Sequence, residues 1–319
     1  MSKARVAVML SGTGTTMMSL LYASRRPDCP YEIVLVASNV PGAKGLTVAA
    51  AEGIATFAHS HRDLAREVHE DIMHAELEGI GANYVALCGY MRILTPGFVD
   101  RWAGRMLNTH PSLLPKYTGL HTHQRALDAG DAHGGCTVHL VTSQLDEGPI
   151  LGQIPVAILP GDTAETLAQR VLYAEYQLYP AMLADYVGRE RDPDWIIAKV
   201  DALARDLPET DARTSHGAPG WRVGGEKGKF FAYVSVRHHG EEAIALLVKT
   251  SGPDEMNAFI EAEPDIYYRP AYYGASGWIA LRLDRPGVDW EHVASWLAKS
   301  WRAVAPRRLT RMMDIADQF

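Results

Sequence analysis

The sequence predicts an α/β domain built on a mostly parallel sheet, followed by a smaller α+β domain. Short apolar runs alternate with helix-length stretches through the first half of the chain. A charged, proline-bearing segment at 188–194 (GRERDPD) then breaks the pattern. Beyond it, short aromatic strands with alternating polarity replace the repeat. A length of 319 residues suits two domains rather than one. The expected division is 1–189 and 190–319.

The first run, 5–10 (RVAVML), is apolar without alternation, as a strand buried on both faces should be. It flows into Ser11-Gly12-Thr13-Gly14-Thr15-Thr16 and a helix over 16–25. Further strands are expected at 31–38 (YEIVLVAS), 84–89 (YVALCG), 105–110 (RMLNTH) and 137–142 (TVHLVT). Helices over 45–52 and 64–77 lie between them, and this alternation gives a parallel sheet covered on both faces. Residues 163–187 read as one long helix, with Asp162 as cap and Glu165 completing a box-like start. The second domain should hold helices at 195–207 and 290–301, with strands at 230–236, 243–249 and 278–283.

Composition narrows the function. With 47% hydrophobic and 22% charged residues the chain can build a large core. No stretch approaches the roughly 20 apolar residues that span a bilayer. The opening, MSKARVAVMLSG, is too short in its apolar part for a signal peptide, so a cytoplasmic protein is expected. Cys29, Cys88 and Cys136 are scattered and odd in number, which argues against a disulfide framework or a thiolate metal site. The net charge of −7 disfavours broad binding to nucleic acid.

The glycine loop after the first strand can aim backbone N–H groups at an anion, reinforced by the helix N-terminus and by threonine hydroxyls. It lacks the third glycine of a dinucleotide fingerprint and the lysine of a Walker loop, so a single phosphate suits it best. A plain strand-to-helix turn is the competing reading. The densest cluster, Asn108-Thr109-His110-Pro111-Ser112-Leu113-Leu114-Pro115, closes a strand, where ligands of open α/β sheets bind. Asp146 follows in the Leu145-Asp146-Glu147-Gly148-Pro149 turn. An Asn amide can donate to an oxyanion, a His can hold or move a proton, and an Asp beside it favours imidazolium. That trio suits acyl transfer to an amine that is itself the nucleophile.

A zinc site from His110, His121, His123 and Asp146 is the alternative, although no HExxH or Cys-rich spacing supports it. His139 reads as a core histidine or one supporting the site from behind, and His59, His61, His69 and His74 as surface residues. Ser112 reads as a loop-forming residue, since its setting is not a nucleophile elbow. Glu175 interrupts the stripe Leu167, Val171, Leu178 on the long helix. It is either a solvated edge position or a ligand for a ribose hydroxyl or the amine.

The stretches SGTGTT, GYMRIL (89–94), NTHPSLLPKYTGLHTHQRALDAG (108–130) and GCTVHLVTSQLDEGPIL (135–151) resemble the phosphoribosylglycinamide formyltransferase family over about residues 4–187. The resemblance implies a Rossmann-like domain, 10-formyltetrahydrofolate as co-substrate without a metal, and a phosphorylated glycinamide as acceptor. It implies Asn108, His110 and Asp146 as the catalytic trio, and Gly14, Thr15 and Thr16 as the phosphate cradle. Leu172, Tyr173, Ala174 and Glu175 would touch the acceptor. Arg66, Met91, Arg92, Ile93 and Leu94 would hold the folate together with Asn108 and the loop Thr142, Ser143, Gln144, Leu145 and Asp146. Relatives acting on methionyl-tRNA or sugar nucleotides typically carry Arg-Gly-x-x-Pro where this chain has Thr118-Gly119-Leu120-His121-Thr122-His123. One departure is the phosphate loop itself, Thr13-Gly14-Thr15-Thr16 in place of the family's Asn-Gly-Ser-Asn. This bears on acceptor affinity or identity.

Residues 209–310 resemble MmcQ/YjbR-like domains of the frataxin-like type. The carriers are Thr214-Ser215-His216-Gly217, Trp221-Arg222-Val223-Gly224-Gly225, Pro270-Ala271-Tyr272-Tyr273-Gly274, Gly277-Trp278 and Val304-Ala305-Pro306-Arg307-Arg308-Leu309. From Glu190 onward 17 Lys and Arg stand against 20 Asp and Glu, a poor footprint for nucleic acid. The aromatic residues there read as packing, and no chemistry is assigned to the domain. Formyl transfer to the glycinamide therefore leads. Transfer to another amine, hydrolysis of the folate, and a non-catalytic folate-sensing nucleic-acid binder are the alternatives. Small molecules are the expected partners, with no membrane, and a homodimer is compatible with the sequence.

Overall fold

The continuous apolar runs become the central strands of a seven-stranded sheet in the first of two compact units, residues 1–188 and 189–319. The structure, a computed structural model, describes residues 3–316 except 216, 226, 238–242, 272, 274, 275, 286 and 287. His216, Tyr272 and Gly274 of the motifs above thus lie outside the described residues.

The first unit runs β1 (Ala4–Leu10), α1 (Thr15–Ser24), β2 (Tyr31–Ser38), α2 (Lys44–Ala51), β3 (Thr56–Ala58), α3 (Arg66–Gly79) and β4 (Tyr84–Leu87). It continues through α4 (Pro96–Arg101), β5 (Met106–His110), α5 (Thr122–Asp128), β6 (His133–Leu140), β7 (Ile150–Ala157) and α6 (Ala164–Gly188). The strand order is β3-β2-β1-β4-β5-β6-β7, a Rossmann-like arrangement in which the first five strands pair in parallel. Both faces are buried. Val6, Val8 and Leu10 point into one core with α1 and α6 residues such as Met17, Leu20, Tyr179 and Leu183. The intervening Ala7 and Met9 point into a second core with Met73 and Leu77 of α3 and Phe98 of α4.

Three expectations are corrected. The strand expected at 137–142 is β6, and it runs antiparallel to β5, as β7 does to β6. The reason lies in the connection: Thr122 at the start of α5 donates to the Pro111 carbonyl, so the chain stays at the His110 end of the sheet and re-enters from there. The cap of α6 is Thr163 rather than Asp162. Thr163 and Thr166 exchange N–H···Oγ bonds of 3.3 and 3.0 Å, while the Asp162 carboxylate pairs with Arg170. His69 is fully buried rather than on the surface, its ring 5.9 and 6.2 Å from those of His59 and His61.

The second unit comprises α7 (Pro193–Arg205), β8 (Thr210–Ser215), β9 (Ala218–Val223), β10 (Lys229–Val236), β11 (Ile244–Lys249) and α8 (Pro253–Ala262), then β12 (Tyr267–Tyr268), β13 (Trp278–Arg282), α9 (Trp290–Val304) and α10 (Arg307–Ala316). Its six strands form one antiparallel sheet, β12-β13-β11-β10-β9-β8. α7 and α9 lay apolar faces on it, burying Ile196, Val200, Val293, Leu297 and Trp301 against Trp221, Phe231 and Leu246. Trp221, Trp278, Trp296 and Trp301 are all buried, so these aromatics pack the unit rather than offer a surface for stacking bases. No helix among the described residues is long and apolar enough to cross a membrane.

Candidate active site

Parallel pairing sets the C-terminal ends of β2, β1, β4 and β5 side by side, and the glycine loop, Met91–Leu94 and the Asn108–His110 pair stand at those ends. β5 contributes Asn108 and His110, which share a face because strand side chains alternate. His110 is 6% exposed. Its Nε2 donates to the Tyr117 carbonyl at 2.9 Å, and its Nδ1 lies 3.4 Å from Asp146 Oδ2. Each ring nitrogen therefore has an acceptor ready for a proton.

Asp146 comes from the opposite direction, on the loop between β6 and β7. That loop is pinched at its base, where the Leu140 N–H donates to the Pro149 carbonyl at 2.9 Å. Gly148 permits the pinch, since a Cβ there would run into the Leu140 carbonyl oxygen. The Gly119 N–H donates to Asp146 Oδ2 at 2.9 Å and fixes the carboxylate. The histidine loop is also tied down: Ser112 Oγ donates to the Lys116 carbonyl at 2.6 Å, and Thr137 Oγ1 donates to the Ser112 carbonyl at 2.6 Å.

The structure adds a fourth member. His139 is 2% exposed and sits in register with Asn108. Its Nδ1 donates to the Leu140 carbonyl at 2.9 Å, which leaves Nε2 to accept from the Asn108 amide at 3.2 Å. Burial holds this histidine below the usual range, in keeping with a neutral ring. The sequence signal for its place was the cross-strand register, which becomes visible only once β6 is known to be antiparallel. His123 is likewise held low by burial, with the His110 charge as a smaller cause.

At the end of β1, Gly14 adopts φ 78° and caps α1, whose first turn carries no acidic residue. Gly45 packs so tightly here that a Cβ on Gly14 would lie 2.8 Å from its Cα. Thr16 Oγ1 donates to Glu175 Oε2 at 3.4 Å, which brings α6 to the loop. Glu175 is 7% exposed, so it is not a solvated edge residue. Leu172 is half-buried, Tyr173 is exposed, and Ala174 packs in the core.

Burial pushes the Glu175 carboxyl up to about 7, with the Thr16 hydroxyl opposing. A raised carboxyl pKa means that the folded chain holds the proton more tightly than the unfolded one. Stability should therefore fall as pH rises from about 4.5 to about 7. Glu175→Gln is expected to raise Tm over the parent protein at pH 8 and to match it at pH 4. Equal shifts at both values would remove the buried charge from the account.

On the other flank, Met91 and Ile93 are 69% and 60% exposed, and Leu145 on the Asp146 loop is 54% exposed. Apolar side chains left open around a polar centre suit a flat, apolar ligand. Arg92 donates through Nη1 to the His61 carbonyl at 3.3 Å, Leu94 packs on the second core, and Arg66 is exposed at the start of α3. Thr142 Oγ1 donates to the Gln144 carbonyl at 3.2 Å, while Ser143 and Gln144 are exposed. Among the described residues, no three His, Cys, Asp or Glu groups are placed to hold a metal ion.

Residues 4–183 match the family model described as formyl transferase. The chain belongs to the formyl transferase family. A second model, described as YjbR, matches residues 205–303. The formyl transferase part is 39% identical over 192 residues to the phosphoribosylglycinamide formyltransferase of Haemophilus influenzae, covering 60% of this chain and 91% of that protein. It is 46% identical over 183 residues to the trifunctional purine biosynthetic protein adenosine-3 of Drosophila pseudoobscura pseudoobscura, covering 56% of this chain and 13% of that protein. The chain thus spans less than a fifth of the length of its trifunctional relatives. The crystal structure of phosphoribosylglycinamide formyltransferase from Brucella melitensis superimposes with a TM-score of 0.56 at 50% identity. It covers 58% of this chain and 96% of that one.

Proposed function

We propose that the first unit transfers a formyl group from 10-formyltetrahydrofolate to the amine of 5-phosphoribosylglycinamide, a step of purine biosynthesis. The observation that carries this reading is the meeting of Asn108, His110 and Asp146 at the end of β5, in the same row of strand ends as the glycine loop. The relatives' names support the same acceptor and the transfer of a formyl group.

In this reading the amine lone pair adds to the formyl carbon and the carbonyl electron pair moves onto oxygen. Collapse breaks the bond from that carbon to N10 of the folate, and the proton lost by the amine replaces the formyl group there. Asn108 spends one amide hydrogen on His139, leaving the other for the oxyanion. His110, backed by Asp146, stands beside the developing negative charge and moves the proton from the amine toward N10. Gly14, Thr15 and Thr16 hold the phosphate, and Glu175 with Leu172, Tyr173 and Ala174 meets the rest of the acceptor. Arg66, Met91, Arg92, Ile93 and Leu94, with Thr142, Ser143, Gln144 and Leu145, hold the folate. In this reading the enzyme works in the cytoplasm on small molecules; a homodimer is compatible with this and is read directly by light scattering.

The test is tetrahydrofolate release by the full-length protein, with and without 5-phosphoribosylglycinamide. Release is expected only when the acceptor is present. Equal release without any amine would make the protein a hydrolase, and release only with a different amine would move it to another acceptor.

A further inference from the structure

We infer that Ser11, acting with Asn39, is a positioning residue that couples the phosphate loop to the folate segment, so that binding at one tightens the other. The inference rests on the substrate pair proposed above. Ser11 opens the glycine loop, and its own N–H donates to the Gly89 carbonyl at 3.1 Å. Its hydroxyl accepts from the Met91 N–H at 2.8 Å and donates its single hydrogen to Asn39 Oδ1 at 2.7 Å. Asn39, at the end of β2, is 3% exposed.

The chain of contacts continues to the other side of the folate segment. His61 Nδ1 lies 2.9 Å from the Asn39 carbonyl, and the His61 carbonyl accepts from Arg92 Nη1 at 3.3 Å. Met91 and Arg92 are therefore held from two directions by a ring that passes through one hydroxyl. A phosphate that orders the glycine loop orders Ser11, and the backbone of Met91 with it. Ligand binding at the folate segment then meets a part of the chain that has already lost its freedom. Such coupling is reciprocal, so the folate must raise acceptor affinity by the same factor.

The experiment titrates 5-phosphoribosylglycinamide calorimetrically into the full chain, with and without a folate analogue that cannot transfer its one-carbon group. A gain in acceptor affinity of about fivefold or more is expected with the analogue present. In Ser11→Ala the gain should shrink to within about twofold of none, and Ser11→Thr, which keeps the hydroxyl, should restore it. Asn39→Leu should behave as Ser11→Ala does. Hydrogen exchange supplies a readout that needs no turnover. Inorganic phosphate should slow exchange at the Met91 amide in the parent protein and leave it unchanged in Ser11→Ala. If the chain ignores the glycinamide yet phosphate still protects Met91 through Ser11, the acceptor assignment fails and the coupling stands. Phosphate protection or affinity coupling that survives in Ser11→Ala would overturn the inference.

Discussion

Replacing His110 with Ala should lower kcat by on the order of a thousandfold or more while the folate still binds, because general acid–base groups of this kind contribute about 10²–10⁴. The side chain is 6% exposed and stands between the Tyr117 carbonyl and the Asp146 carboxylate. Its loss also leaves buried acceptors unsatisfied, at roughly 1–3 kcal/mol, so the folded fraction must be measured beside the rate. Asp146→Asn is the cleaner change. An amide oxygen can still accept the Gly119 N–H and keep the loop in place, while the negative charge facing His110 and His139 is gone. A comparable fall in kcat is expected, with folate affinity from calorimetry moving less than about threefold. Near-normal turnover in either variant would remove that residue from the mechanism.

Asn108→Ala should reduce kcat by about 10²–10³, the usual consequence of deleting one preorganised donor to an oxyanion. It carries a second signature that a structural defect would not give. The Asn108 amide donates to Nε2 of His139 and so favours the neutral ring. Without it, Nε2 faces Asp146 Oδ1, 3.8 Å away, with no competing donor. The His139 pKa, held low by burial, should therefore move upward, and an NMR titration of the imidazole reads that shift. An unmoved titration would mean that the amide does not set the state of the ring.

The strands most legible in the sequence are those with no solvent-facing side. β1 and β2 read as apolar runs because both cores press on them, through Val6, Val8 and Val36 on one face and Ala7, Met9 and Leu35 on the other. Edge strands give no such pattern. β3 is three residues, β8 reads TDARTS, and β7 carries Gly152 and Pro155, all because one side of each lacks a partner strand. Within the site, Asn108, His110 and Asp146 stand in recognisable motifs, and a resemblance across 4–187 is matched by the family model over 4–183. Glu175 was visible as a break in an apolar stripe, yet its burial depends on α6 packing against the first turn of α1, which carries Thr16. His139 was legible as a core or supporting histidine but its partner, 31 residues away, was not, and Asn39 was not legible because Ser11 lies 28 residues away across strand ends.

The bond between Leu140 and Pro149 turns the span that carries Asp146 into a strap sewn shut at its base, with further stitches from the Val141 N–H to the Met106 carbonyl and from the Gly119 N–H to Asp146. Changes at the exposed residues 143–145 leave that base untouched, whereas a side chain at Gly148 would meet the Leu140 carbonyl and open it. An engineer could therefore shorten or lengthen the strap around a retained aspartate to admit bulkier one-carbon donors. On the proposed function, melting should change little while the choice of donor shifts.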